Sequence, residues 1–309
     1  MAKWTAADIP DQTGRTILIT GANSGLGLRS AEALAAAGAR VLMACRNAEK
    51  AAAAQKEVAA KATGPDPEVV SLDLSDLDDV ARSADGLVAE LGHLDVLLNN
   101  AGVMAVPLAR TPQGYEMQMG TNHLGHFALT GRLLPLLLKS GAPRVVTVSS
   151  FGHKPGRIRF DDPNWEKGRY HAWPAYFQTK LANLLFTAEL DRQAREAGTK
   201  LVAAAAHPGY ASTNLTASGP GSFSPFVRRG GELVDKVFGQ SDAKGALPQL
   251  YAATMPDVEG NDYWGPDGFL EQRGHPTKVG RTRRAADADA AQRLWSLSEA
   301  LTGVTFAWT

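Results

Sequence analysis

The feature that most constrains this chain is a glycine-rich turn set between an apolar strand and a helix. Residues 16–19 read as a short buried strand. Thr20-Gly21-Ala22-Asn23-Ser24-Gly25-Leu26-Gly27 follows at once and opens a helical run over 24–37, which Gly38 ends in a natural C′ position. Glycines at such a junction let the backbone turn tightly and approach a pyrophosphate. The helix N-terminus behind them offers free N–H groups and the positive end of a dipole. A glycine cluster by itself also suits an ordinary strand-to-helix turn; the strand–loop–helix context is what points to a dinucleotide.

The same alternation continues. Short apolar runs at 40–43, 68–72, 94–98, 144–148 and 201–206 are bounded mostly by Gly, Pro, Asn or Asp and separated by helical patterns. Strand–helix alternation with right-handed crossovers gives a doubly wound parallel sheet, so the expected fold class is α/β, a single Rossmann-type domain over 1–309. Ser75 and Asp78 form a candidate capping box for the helix after the third strand. Two irregular stretches, 151–174 and 210–231, read as an insertion and a substrate loop on that domain.

Composition excludes several functions. The 32 Lys and Arg balance the 32 Asp and Glu, which leaves no electrostatic footprint for nucleic acid or an anionic membrane. The basic run 278–284 is short enough to be a solvated surface. The one cysteine, Cys45, permits no intrachain disulfide and fits a reducing compartment. Residues 1–12 lack a signal-peptide core. No apolar run nears the roughly 20 residues that span a bilayer. The expected location is the cytoplasm, with a small molecule and a second copy of the chain as partners.

Further motifs fall at strand ends. Asn99-Asn100-Ala101-Gly102 follows the fourth strand, Asp73-Leu74 the third, Ser149-Ser150 the fifth and Pro208-Gly209 the sixth. Tyr176 and Lys180 stand four residues apart, on one face of a helix. A free tyrosine, with a pKa of about 10, is a poor base at neutral pH. A cation within roughly 4–6 Å lowers such a pKa by about 1–3 units, into the range useful for general acid/base work. A helix-surface pair is the plainer reading of Tyr-x-x-x-Lys, and Ser150 beside the sheet's carboxyl edge argues against it.

With its G-x-x-x-G-x-G spacing, the chain resembles the short-chain dehydrogenase/reductase family over nearly its whole length. The resemblance implies a hydride transfer between a nicotinamide and a carbonyl or alcohol. It assigns Asn122, Ser150, Tyr176 and Lys180 to catalysis: Ser150 on the substrate oxygen, Tyr176 as acid/base, and Asn122 holding a water in a relay with Lys180. Ser149 is the alternative to Ser150, and a structural role for Asn122 is compatible with the relay. Cofactor contacts are implied for Gly21, Asn23, Ser24, Gly25, Leu26, Gly27, Arg46, Asp73, Leu74, Asn100, Ala101, Gly102, Tyr176, Lys180, Pro208, Gly209 and Thr213.

Ser150 and Tyr176 lie farther apart than in compact members, and the added length is 151–174. That spacing, Ala44-Cys45-Arg46-Asn47 and the run 121–127 resemble the branch of retinol-dehydrogenase-like enzymes and protochlorophyllide reductases; the intact Asn-Asn-Ala-Gly favours the former. Cys45 and then Arg46 stand where NAD-preferring enzymes carry an acid, which points to NADP, with NAD as the alternative. His123, His126 and His207 read as packed histidines and no metal set is apparent. Trp165, Tyr170 and Trp173 in the first irregular stretch, with Tyr210, Phe223 and Phe226 in the second, are either satellite core or the lining of an apolar pocket. A double-bond reductase of the same family and a non-catalytic dinucleotide sensor are the competing functions.

Overall fold

The computed structural model describes residues 3–210 and 240–308 of the chain. Its centre is an eight-stranded sheet. The strands are β1 (Thr16–Thr20), β2 (Arg40–Cys45), β3 (Glu68–Ser71), β4 (Val96–Asn99), β5 (Arg144–Val148), β6 (Val202–Ala206), β7 (Tyr263–Pro266) and β8 (Pro276–Lys278), in the spatial order 3-2-1-4-5-6-7-8. The first seven are parallel and β8 returns antiparallel beside β7. This is the expected doubly wound α/β architecture, with its order reversing between β1 and β4. Ligands of such sheets bind at that switch, outside the carboxyl ends of the strands.

Helices α1 (Gly25–Ala36) and α2 (Ala48–Ala59) cover one face together with α8 (Leu247–Thr254), which follows the short α7 (Asp242–Gly245). The other face carries α3 (Leu77–Glu90), α5 (Gly125–Leu138), α6 (Ala172–Glu196) and α9 (Ala288–Thr302); a single turn, α4 (Met117–Met119), precedes α5. Strand periodicity sorts the core. Ile17 and Ile19 join the first cluster and Leu18, between them, joins the second. All three are fully buried, each contributing roughly 1.5–3 kcal/mol.

Two details depart from the sequence expectation. The N-cap of α3 is Asp76, whose carboxylate accepts from the Asp78 N–H; Ser75 instead donates its hydroxyl to Asp73 Oδ1 at 2.6 Å. Asp73 and Ser75 close a turn of their own, so the cap passes to the next side chain able to accept. Strands β7 and β8 were not anticipated. No helix among the described residues is long and apolar enough to cross a membrane.

Candidate active site

The glycine turn is built from three differently employed glycines. Gly21 and Gly25 take left-handed φ values of +68° and +54°, which L side chains rarely adopt. Gly27 is required by packing, because a Cβ there would stand 2.3 Å from the Gly21 carbonyl oxygen. Thr20 bolts this turn to the segment after β4. Its Oγ1 accepts the N–H groups of Asn100 (2.9 Å) and Ala101 (3.0 Å), while Asn100 Nδ2 donates to the Thr20 carbonyl (2.8 Å). Ser24, the N-cap residue of α1, makes no side-chain cap, whereas Asn47, Asp76 and Asp287 cap α2, α3 and α9. Among the described residues the first N–H groups of α1, through Leu26 and Gly27, therefore have neither an intrahelical nor a side-chain acceptor. That arrangement suits a pyrophosphate.

At the end of β2, Cys45 turns inward. Burial pushes its thiol up to about 11, and the sulfur accepts the N–H groups of Ala22 and Asn23 beneath the glycine turn. Arg46 turns outward, two-thirds exposed, with Nη1 3.7 Å from Asp73 Oδ2. Asp73 also accepts from the Ser75 N–H, and its own N–H donates to Asp79. Leu74 is buried.

Ser150, Tyr176 and Lys180 meet at the carboxyl edge of β5. Ser150 follows that strand and caps a 3-10 turn over Phe151–His153, its Oγ accepting from the Gly152 N–H at 2.8 Å. It is hydrogen-bonded to the Tyr176 hydroxyl. Ser149 points elsewhere: it donates to the Lys180 carbonyl (2.8 Å) and is hydrogen-bonded to the Tyr263 hydroxyl. Gly152 is a site residue missed in the sequence. A Cβ there would lie 2.9 Å from Ser150 Oγ and 3.1 Å from the Tyr176 ring. Lys180 Nζ donates to the Val148 carbonyl at 3.1 Å and stands 5.6 Å from the centre of the Tyr176 ring.

The electrostatics reverse one expectation. Burial pushes the Tyr176 phenol above its ordinary value, with the Ser150 hydrogen bond pulling the other way, and pushes Lys180 down to about 8. The ammonium does not bring the phenol down here, because desolvation penalises the charged form of both groups.

Asn122 lies in a π-helical turn, Gly120–Leu124, wedged between α4 and α5. Its amide clamps Val103 in both directions: Oδ1 accepts the Val103 N–H (2.8 Å) and Nδ2 donates to the Val103 carbonyl (2.9 Å). Nδ2 also reaches Thr179 Oγ1 at 3.0 Å. Gly102 makes room for this; a Cβ there would sit 3.2 Å from Asn122 Oδ1 and 3.7 Å from Lys180 Nζ. His126 lies beneath, Nδ1 on the Asn122 carbonyl (3.1 Å) and Nε2 on Thr20 Oγ1 (2.9 Å). Burial holds His126 near 4 and His123 near 3, both neutral. His123 bonds Ser298, and no metal-binding cluster exists among the described residues.

The irregular segments divide. Trp165 and Tyr170 pack edge to face as satellite core, Tyr170 holding Glu116, Gln118 and the Val106 carbonyl. Trp173 is half-exposed, its ring 6.2 Å from that of Tyr176. Beyond β6, Pro208 and Gly209 approach the segment after β7, where a Cβ on Gly209 would lie 2.3 Å from the Gln272 carbonyl. Tyr210 donates its N–H to that same carbonyl. Thr213, Phe223 and Phe226, and so the rest of the expected substrate loop, lie outside the described residues.

The short chain dehydrogenase family model matches residues 15–220. Retinol dehydrogenase 14 of Mus musculus is 41% identical over 304 residues, covering 94% of this chain and 86% of that protein. Retinol dehydrogenase 13 of Homo sapiens is 36% identical over 294 residues, covering 94% and 85%. A solved uncharacterized protein from Mycobacterium paratuberculosis is 47% identical, with a TM-score of 0.82, covering 99% of this chain and 100% of that one. A short chain dehydrogenase from Shigella flexneri, solved in complex with NADP, is 26% identical with a TM-score of 0.63, covering 82% and 97%.

Proposed function

The chain belongs to the short-chain dehydrogenase family and is an NAD(P)-dependent oxidoreductase of alcohols and carbonyls; from that premise we propose that it reduces a lipophilic carbonyl with NADPH, Tyr176 giving the proton. The observation that carries this reading is the convergence of Ser150, Tyr176 and Lys180 at the carboxyl edge of β5. Bound nicotinamide would supply the hydride. The phenol, kept neutral by burial, is then the acid that protonates the substrate oxygen, and Ser150 holds that oxygen beside it. Lys180, brought down to about 8, can pass a proton on at neutral pH, and Asn122 anchors the backbone next to it.

The uncapped start of α1 with Asn23, Ser24 and Gly25, the Asn100–Gly102 segment and Pro208–Gly209 would hold the cofactor. NADP is favoured by Arg46, whose guanidinium is exposed and tied to Asp73 only at 3.7 Å, free to meet a 2′-phosphate. The Shigella relative, solved with NADP, is consistent with that choice. A lipophilic substrate is supported by Trp173 beside Tyr176, by Phe269 and Leu270, 81% and 63% exposed on the segment against Gly209, and by relatives named retinol dehydrogenases. On this reading residues 1–309 act as one domain on a small molecule in the cytoplasm, as a homo-oligomer.

Following NADPH absorbance against a panel of aldehydes and ketones graded in chain length tests the reading. Turnover should rise with apolar chain length. Turnover confined to small hydrophilic carbonyls would refute the substrate class.

A further inference from the structure

His207, the residue before Pro208, is 1% exposed and its ring reaches two partners. Nδ1 lies 3.2 Å from the Gly209 N–H and can only accept from it. The ring is held neutral by burial, so its proton sits on Nε2, which faces Glu271 Oε2 at 3.3 Å. That approach is close but imperfectly aligned, and neither atom has another hydrogen-bond partner among the described residues.

Three further observations show that this contact is built. Gly265 on β7 leaves the space for the ring, since a Cβ there would lie 2.1 Å from His207 Nε2. Leu270 and Glu271 both take left-handed φ values, +51° and +57°, a strained pair without glycine that persists only where its surroundings fix it. Lys154, from the segment after Ser150, reaches the same Glu271 oxygen at 3.7 Å, and Phe151 lays its ring 4.9 Å from that of His207. Glu271 thus ties together the segments that follow β5, β6 and β7.

We propose that Glu271 is a positioning residue for the nicotinamide end of the cofactor site, acting through His207 on the Pro208–Gly209 turn. The carboxylate orients the imidazole, and the imidazole fixes the direction of the Gly209 peptide. The proposal rests on the dehydrogenase reading above, in which that turn borders the nicotinamide.

The test compares two ligands that differ only in the nicotinamide, NADPH and 2′-phospho-ADP-ribose, on the full chain. Glu271→Ala should weaken NADPH by about ten- to hundredfold, as expected for losing a hydrogen bond to a charged group, and leave 2′-phospho-ADP-ribose unchanged. Glu271→Gln keeps an acceptor oxygen and should restore most of the loss. Gly265→Ala, which drives a methyl into His207, should reproduce the alanine pattern. Equal affinities in wild type and Glu271→Ala, or equal weakening of both ligands, overturns the positioning role alone. Wild-type protein that binds neither ligand overturns the cofactor reading and this proposal with it.

Discussion

The buried ammonium of Lys180 donates to the carbonyl oxygen of Val148 at 3.1 Å, and it shares that oxygen with Asn183 Nδ2, also at 3.1 Å. Removing the lysine therefore leaves the carbonyl satisfied. Its pKa, about 8 in the fold against 10.5 ordinarily, means the unfolded chain binds more protons between those values. The cost of burying the charge is complete below about pH 8 and vanishes as the pH rises through the ordinary lysine range. That cost is roughly 3 kcal/mol. Lys180→Met should raise the melting temperature at pH 7 while abolishing turnover. A lower melting temperature would mean that the ammonium stabilises the fold.

His123 and His126 bring a sensitivity of the same sign at lower pH. Their folded values, about 3 and about 4, lie below the ordinary 6.5, so the unfolded state takes up protons first as pH falls. Stability is intact above about 6.5 and declines down to about 4 for His126 and about 3 for His123. The loss at pH 5 should be roughly 2 kcal/mol for each histidine. Urea melts at pH 7.5 and pH 5 measure it, and equal midpoints would show that these rings are not held neutral.

The proposed preference for NADP rests on Arg46. Arg46→Asp should weaken NADPH by roughly 1.5–3 kcal/mol, the value of a charge-assisted hydrogen bond, and leave NADH equal or better bound. Fluorescence titration of both cofactors decides the point. Equal weakening of the two, or a wild-type preference for NADH, contradicts the assignment.

The sheet through β6 was legible because each strand is a short apolar run closed by turn residues, as in Arg144–Val148 before Ser149. Strand β7 was not, since Tyr-Trp-Gly-Pro carries two residues that normally argue against a strand. It exists because Ala205 and Ala206 offer a free edge, and Gly265 is there to admit His207. The glycine turn was legible from its place between strand and helix, and the nearness of Tyr176 and Lys180 from their helical spacing. Glu271 and Gly152 could not, because their significance comes from what folds against them. The direction of the Tyr176 shift was misjudged for a related reason: helix spacing reveals that Lys180 is near, and says nothing of how deeply both groups are buried.

On the proposed reading Tyr176 delivers the proton, and Tyr176→Phe removes that hydroxyl with little change of shape. Single-turnover NADPH oxidation with a good lipophilic aldehyde, measured beside NADPH affinity, tests it most directly. Turnover should fall at least about a hundredfold, the lower range for a general acid, with cofactor affinity nearly unchanged. Near-normal turnover in the Tyr176→Phe enzyme would contradict the claim.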